Sequence, residues 1–298
     1  MLYLYILKKI RGKTIMKKFA ALLLGTAMVL SLAACGGSAT TSESTASSEA
    51  SSAASSEAAS TEEASAETAA AELTTVTDGT LTMSTNAAFP PYEMTADDGS
   101  FEGIDIEVAQ AIADKLGLTL QVDDMDFDAA LLAVQNGKSD MVMAGVTVTE
   151  ERQKVMDFTD SYATGIQSII VPEDSDIASI DDLAGKTIGT QRGTTGYLYC
   201  VDEFGDDAVI AYDNGLTAVK ALTNGQVDCV VIDNAPAQEF VAANQGLKIL
   251  DTTYAEENYA IGVAKGNTAM LDAINGALAE LQADGTLHSI VDKYITAE

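Results

Sequence analysis

The chain has 298 residues, sixteen Lys and Arg, forty-five Asp and Glu, and a single histidine, which gives a formal net charge of −29. So strong a negative charge argues against binding to nucleic acid, whose phosphates attract basic proteins. The acids are not arranged as a calcium loop, and no cluster of His and Cys has the spacing of metal ligands. The composition therefore predicts no metal and no cofactor.

Residues 16–35 form a short apolar run with two lysines in front and small residues at its end, typical of a secretory signal peptide rather than a membrane span. Met16 is an alternative start. The end of the run, Leu-Ala-Ala-Cys, resembles the lipobox of bacterial lipoproteins, which implies a lipid on Cys35. Without residues 1–35, the whole stretch up to the predicted lipobox, ten basic residues face forty-five acidic ones, for a net charge of −35, and only Arg152 and Arg192 remain as arginines.

Residues 36–72 consist almost entirely of Ser, Ala, Thr and Glu, without a lysine or an aromatic residue. Such a segment buries too little apolar surface to offset its ordering entropy, so we expect a disordered tether. A flexible chain of this length holds the folded part about 30 Å or more from its anchor.

From residue 73 onwards, strand and helix patterns alternate. A strand at 81–84 precedes a loop that carries Phe89, and an amphipathic helix at 104–116 stops at Gly117. A strand at 119–122 and a helix at 127–136, capped by Asp126, follow. This alternation predicts an α/β protein with a largely parallel sheet.

The next apolar strand ends at Gly145 and leads to Thr147 and Arg152. Polar groups at the carboxyl end of a buried strand mark the edge at which open α/β sheets bind ligands. Two interpretations of Arg152 stay open at this point: a structural ion-pair partner for Glu150 or Asp157, or a receptor for an anion.

An internal repeat indicates two related halves. Residues 133–143 and 221–231 share a helix end, an Asn-Gly stop, an Asp and an apolar strand. The second copy ends at Asp233, which should lie opposite Arg152. Between the copies, a strand at 186–190 leads through Gly193 into a helix, whose start is either an anion site or a simple N-cap. Strands near 167–171 and 259–263 are predicted to pass between the halves.

Together these residues resemble the amino-acid-binding branch, family 3, of the extracellular solute-binding proteins of ABC importers. The resemblance implies a two-lobe periplasmic-binding-protein-like fold of type II, with two hinge strands. It implies a first lobe at 73–166 and 259–298, and a second lobe at 167–258. The resemblance rests on motifs at residues 89–93, 103–106, 125–127, 144–152, 157–159, 193–195, 233–236 and 283–286.

The resemblance also implies roles for single residues. Arg152 would grip the α-carboxylate of an amino acid, helped by backbone N–H groups of Thr147 and Thr195. The α-ammonium would meet the Asp233 carboxylate, the Gly145 carbonyl and the Thr147 hydroxyl. Phe89 would stack on the ligand side chain. The remaining predicted ligand-binding residues are Ala144, Thr194, Asn86, Phe127 and Gln191.

Asn86 stands where binders of cationic amino acids, and the glutamine binder, commonly carry an acid after the first strand. Glu93 or Asp97 would have to substitute for that acid, whereas Asn86 and Gln191 are amides that both donate and accept hydrogen bonds. We therefore expect a neutral polar ligand, glutamine-like or cystine-like. The implied protein is an extracellular, lipid-anchored monomer of a Gram-positive bacterium that serves the transmembrane subunits of an ABC permease.

Two other functions use the same fold. An enzyme similar to the cyclohexadienyl dehydratases would use Glu173 or Asp233 as its acid or base, and a sensor would act as the ligand-binding partner of a membrane receptor. No catalytic residue is predicted for the preferred function. A disulfide between Cys200 and Cys229 stays open, because spacing alone does not give the distance between their α-carbons.

Overall fold

The computed structural model describes residues 73–295. The predicted signal peptide, the lipidated Cys35 and the tether of residues 36–72 lie outside the described residues and stay predictions. Among residues 73–295, no helix is both long enough and apolar enough to cross a membrane.

The described part of the chain contains eight α-helices, twelve strands and two short 3-10 helices at Ile180–Leu183 and Asp206–Ala208. The helices are α1 Ile104–Leu116, α2 Phe127–Gln135, α3 Glu150–Gln153, α4 Thr195–Phe204, α5 Gly215–Thr223, α6 Asn234–Ala243, α7 Thr268–Ala283 and α8 Thr286–Tyr294. The strands are β1 Thr80–Thr85, β2 Ala88–Phe89, β3 Glu93–Thr95, β4 Phe101–Glu102, β5 Thr119–Asp124, β6 Met141–Val142, β7 Met156–Pro172, β8 Ile188–Gln191, β9 Val209–Tyr212, β10 Cys229–Asp233, β11 Leu247–Ile249 and β12 Ala255–Ala264.

The nine strands of the main sheet follow the order β5-β1-β6-β12-β7-β10-β8-β9, and β11 pairs with β7. Pairs β1–β5, β1–β6, β8–β9 and β8–β10 are parallel. Two long strands, β7 and β12, are antiparallel to their neighbours and join the two parallel groups. Strands β2, β3 and β4 form a separate small sheet.

This architecture confirms the predicted fold class, two parallel groups of strands joined by two crossing strands. Strand β7 pairs with β12 from residue 156 to 167 and with β10 from residue 167 to 170, so the crossing occurs near Gln167. The exact residue boundaries of the lobes stay a prediction.

Helix α1 spans the residues for which the spacing of apolar side chains predicted an amphipathic helix. Ile106, Ala109, Ile112 and Ala113 are buried on one face of the helix. Burying a large aliphatic side chain contributes about 1.5–3 kcal/mol, which favours this face against the sheet. Gly117 ends the helix with a left-handed φ of 69°, a conformation that costs other residues energy.

Two local predictions need correction. Asp126 does occupy the N-cap position of α2, but its side chain makes no capping hydrogen bond. The crossing strands are also longer than their apolar cores at 167–171 and 259–263 suggested. Exposed and half-buried residues, most of them polar, separate the buried ones along the first part of β7, so that part contains no continuous apolar run.

Cys200 and Cys229 are both free and both buried in one apolar cluster. Burial raises the pKa of each thiol to about 12, so the reactive thiolate is scarce at neutral pH. In a Cys35→Ser variant we expect no thiol to react with Ellman's reagent while the protein is folded, and two thiols to react after unfolding. Two unreactive cysteines in the unfolded, unreduced protein would instead reveal a disulfide.

Candidate functional site

A cleft lies where the carboxyl ends of β1, β6, β8 and β10 come together. All eleven residues predicted as ligand contacts line it, together with one more, Glu93. The lining residues are Asn86, Phe89, Glu93, Phe127, Ala144, Gly145, Thr147, Arg152, Gln191, Thr194, Thr195 and Asp233. The structure thus brings the predicted residues around one cavity, and their contacts with a ligand stay a prediction.

Arg152 has no ion-pair partner among the described residues. Its Nη1 donates to the Thr147 carbonyl at 2.8 Å and its Nη2 to the Gly193 carbonyl at 3.2 Å. The guanidinium carbon lies 5.2 Å from the centre of the Phe127 ring, and the side chain is buried. The ion-pair interpretation is therefore wrong, since Asp157 pairs with Lys265 at 2.6 Å.

Asp233 ends β10 and is buried. Its Oδ2 accepts a 2.7 Å hydrogen bond from Gln167 Nε2, and its Oδ1 accepts one from the Tyr259 hydroxyl. Burial, followed by repulsion from Glu257, raises the pKa of Asp233 to about 7. A ligand ammonium placed beside Asp233 would offset this burial and hold the group ionised.

Glu257 is a part of the site that the sequence reasoning missed. Its Oε2 accepts hydrogen bonds from the hydroxyls of Thr147 at 3.0 Å and Thr195 at 2.9 Å, and from Gln167 at 3.0 Å. The sequence signal that could have identified Glu257 was the alternation of inward- and outward-facing residues along a strand. Glu257 lies two residues before the buried Tyr259 on β12, so it faces the same, inward side.

Gly145 brings the backbone close to the aromatic floor of the cleft. Its φ is 54°, and a β-carbon there would lie 2.9 Å from Cε1 of Phe89. Only glycine suits both the left-handed backbone and this approach. The Gly145 N–H donates to Asp105 Oδ2 at 2.9 Å, which fixes the turn at the end of the apolar strand.

The two amides predicted to contact a ligand side chain contact each other. Gln191 Nε2 donates to Asn86 Oδ1 at 2.9 Å, and Asn86 Nδ2 donates to the Met125 carbonyl at 2.8 Å. Of the two acids proposed to substitute at this end, Glu93 lines the cleft, whereas Asp97 is exposed. Among the residues that line the cleft, Arg152 is the basic one, and Glu93 and Asp233 are the two acids.

The helix start predicted as either an anion site or an N-cap contains a cap. The Thr194 hydroxyl accepts from the Tyr197 N–H at 3.3 Å and donates to the Gln191 carbonyl at 2.8 Å. Thr195, the first residue of α4, reaches the cleft through its hydroxyl. Thr194 therefore has a structural role in addition to its place in the cavity lining.

Glu173 is not part of the cleft. It is exposed after the end of β7 and does not line the cavity, so its candidacy as a catalytic group is wrong. Within residues 73–295, no group of three or more His, Cys, Asp or Glu is placed to hold a metal ion.

The raised pKa of Asp233 predicts a pH-dependent effect on stability. In the unfolded chain an Asp titrates near 3.9, so between about pH 4 and 7 the unfolded state loses a proton that folded Asp233 retains. The stability that protonated Asp233 contributes to the folded state is fully present below about pH 4 and is lost as the pH rises through about 7. We expect Asp233→Asn to raise the melting temperature, relative to the unsubstituted protein, by several degrees more at pH 8 than at pH 4.5.

Thermal unfolding without amino acids, followed at both pH values, checks this result. Asp251→Asn, a substitution of an exposed acid, is the matched control and should shift the melting temperature equally at both. An equal effect of Asp233→Asn at the two pH values would contradict the assignment.

The chain is similar, in sequence and in structure, to known solute-binding proteins. Residues 81–297 match the family model of bacterial extracellular solute-binding proteins, family 3. The L-cystine-binding protein TcyJ of Escherichia coli (strain K12) is 30% identical over 223 residues, covering 74% of this chain and 84% of TcyJ. The arginine-binding extracellular protein ArtP of Bacillus subtilis (strain 168) is 30% identical over 293 residues, covering 95% and 100%.

The structure of an ancestral arginine-binding protein bound to glutamine superposes with a TM-score of 0.71 at 42% identity, covering 74% of this chain and 100% of that protein. A zwitterion fits the chemistry of the cleft, because Arg152 and Asp233 offer opposite charges within one buried cavity. The fold, the cleft and the match over residues 81–297 agree, and the chain belongs to the bacterial extracellular solute-binding proteins of family 3.

Proposed function

We propose that this protein is the extracellular substrate-binding lipoprotein of an ABC importer. It binds a free amino acid between its two lobes and delivers it to the transmembrane subunits of a membrane permease. The observation that carries the proposal is that Arg152 and Asp233, which carry opposite charges, both line one buried cleft. The α-carboxylate would lie on Arg152 and the α-ammonium on Asp233, since both charges of a buried zwitterion must be paired.

Thr147 and Thr195 support this arrangement because they come from opposite sides of the cleft, and their backbone N–H groups would assist Arg152 at the carboxylate while their hydroxyls donate to Glu257. Thr147 follows β6, Thr195 opens α4, and Glu257 bridges the two. A ligand that contacts both sides stabilises the closed form, which is the form that we expect a permease to recognise. The anchor on the extracellular face of the membrane would be the lipid on Cys35.

The ligand that we propose is a neutral polar amino acid, glutamine-like or cystine-like. Asn86 and Gln191 support this proposal, because their amides lie in the cavity lining and each retains capacity for further hydrogen bonds. A cationic amino acid is the second candidate, and Glu93 favours it. Among the relatives, TcyJ is named for cystine and ArtP for arginine.

A thermal-shift screen tests the proposal. The purified protein is heated with each of the twenty amino acids, cystine, citrulline and prephenate at 1 mM. A ligand of micromolar affinity adds about 4 kcal/mol through mass action, so one or a few amino acids should raise the melting temperature by several degrees. No shift with any amino acid would contradict the proposal. Consumption of prephenate would favour the dehydratase alternative.

A further inference from the structure

Glu93 places a carboxyl group in the cleft that the binding of a zwitterion does not use. It lies on β3 and pairs directly with Phe89 on β2, and directly paired residues extend their side chains on the same face. The Glu93 carboxyl therefore lies on the same face as the Phe89 ring, at the end of the cleft predicted for the ligand side chain. Glu93 is 1% exposed, and neither of its oxygens has a donor among the described residues.

Asp105 lies beside Glu93, because its backbone N–H donates at 2.8 Å to the carbonyl of Tyr92, the residue that precedes Glu93. It lies in the first turn of α1, where the helix N-terminus favours a negative charge. Its Oδ2 accepts from the Gly145 N–H and the Tyr162 hydroxyl, both at 2.9 Å, while Oδ1 has no donor. A hydrogen bond between the two carboxyl groups contributes to the shift in the pKa of each, and the oxygens free to make it are Oε1 and Oε2 of Glu93 and Oδ1 of Asp105. Two carboxylates cannot make that bond, because neither is a donor, but one shared proton completes it.

The other titratable groups around the pair are mainly acids and tyrosines. Those that face it from neighbouring elements are Asp233 on β10, Asp124 on β5 and the hydroxyls of Tyr92 and Tyr162. Arg152 lines the same cavity, but its guanidinium is directed to the Thr147 and Gly193 carbonyls. Burial, then repulsion from Asp105, raises the pKa of Glu93 well above its ordinary value. Burial also raises the pKa of Asp105 to about 6.

We propose that Glu93 and Asp105 share one proton before a ligand binds, and that an amino acid with a cationic side chain displaces it whereas a neutral one leaves it in place. The Glu93 carboxyl releases its proton to solvent, and the resulting carboxylate pairs with the guanidinium or ammonium of the ligand. With a neutral ligand the protonated pair keeps its hydrogen bond. This inference rests on the proposed function, and it makes Glu93 a residue that determines specificity and couples it to pH.

Isothermal titration calorimetry with arginine and citrulline tests the proposal, because the two ligands share size and α-groups and differ in side-chain charge. Titrations at pH 7.5 in phosphate and in Tris give the number of protons released, since the two buffers differ in ionisation enthalpy. Asp233 meets the same α-ammonium in both ligands, so its contribution is equal. Arginine should release about one proton more than citrulline, and its Kd should fall by up to about tenfold per pH unit from pH 6 to 8.

Glu93→Gln is the decisive variant. Glutamine keeps the shape of Glu93 and donates to Asp105, but it never ionises. The variant should bind arginine at least about 30-fold more weakly, lose the pH dependence of that binding and keep its citrulline affinity within about threefold. Glu102→Gln, on the exposed side of the neighbouring strand β4, is the matched control and should change neither affinity.

The outcomes separate this inference from the proposed function. Equal proton release by arginine and citrulline, or unchanged arginine binding by Glu93→Gln, would overturn the proton exchange. Binding of citrulline or glutamine without binding of arginine or lysine at any pH from 6 to 9 would overturn it too, and would leave the proposed function intact. Failure of every amino acid to bind would instead contradict the proposed function itself.

Discussion

Arg152→Ala is expected to weaken the binding of an amino acid by at least about 100-fold. The substitution leaves the α-carboxylate of the ligand in a buried cavity without its counter-charge, and breaking a buried pair in this way costs about 3–5 kcal/mol. The structure leaves few substitutes, because Arg152 is the sole basic residue among those that line the cleft. The Kd measured by calorimetry for the strongest ligand of the thermal-shift screen checks the expectation.

Two variants serve as controls for Arg152→Ala. Arg152→Lys keeps the charge but loses the planar fork that contacts both the Thr147 and the Gly193 carbonyls, so its binding should be intermediate. Arg192→Ala removes the neighbouring exposed arginine, which lies 3.9 Å from Asp213, and should leave the Kd within about threefold. A larger loss of affinity from Arg192→Ala than from Arg152→Ala would contradict the assignment of the ligand carboxylate to Arg152.

The fold was predictable because its signals are local. Helix α1 begins and ends where the period and Gly117 predict, and the repeated Asn-Gly stops precede β6 and β10. The lining of the cleft was predictable for a related reason. In a parallel sheet the carboxyl ends of strands meet at one edge, so residues that follow strands far apart in sequence come together. Asp233 and Arg152 are an example.

The contacts between the side chains of the site were not predictable in the same way. Glu257 interacts with Thr147 and Thr195, which are 110 and 62 residues away, and no local pattern encodes such a pairing. An N-cap and an anion site look alike in sequence, and the cap at Thr194 is recognised from the hydrogen bonds of its hydroxyl to Tyr197 and Gln191. The Asn86 side chain likewise has its hydrogen-bond partner, Gln191, 105 residues away.

These distant contacts explain how the lobes are held together. Glu257 lies on a crossing strand and bonds to one hydroxyl from each side of the cleft, and the Asn86–Gln191 pair also crosses it. Each such bond needs the two sides at the distance that this structure shows. If the protein binds its ligand as proposed, we therefore expect ligand affinity to depend on the closure of the cleft as well as on direct contacts.

Gly193→Ala is expected to weaken ligand binding by about 10- to 100-fold by opposing that closure. Gly193 follows β8 on one side of the cleft and faces Asp128 in α2 on the other. A β-carbon at Gly193 would lie 2.6 Å from Cγ of Asp128 and overlap its carboxylate. Overpacking of this kind costs about 1–3 kcal/mol, and the cost arises only when the two sides meet. Calorimetry gives the Kd, and small-angle X-ray scattering with saturating ligand reports whether the cleft closes.

The left-handed backbone at Gly193, with φ of 73°, adds a strain of its own, so the control must share it. Gly225→Ala has φ of 67° and no atom within 4 Å of the added β-carbon. It should cost about 1 kcal/mol of stability and leave the Kd unchanged. Adding Asp128→Ala to Gly193→Ala removes the overlap and should restore most of the affinity. Persistent weak binding in that double variant would contradict the overlap as the cause, and an unchanged Kd in Gly193→Ala would mean that ligand binds without bringing Gly193 against Asp128.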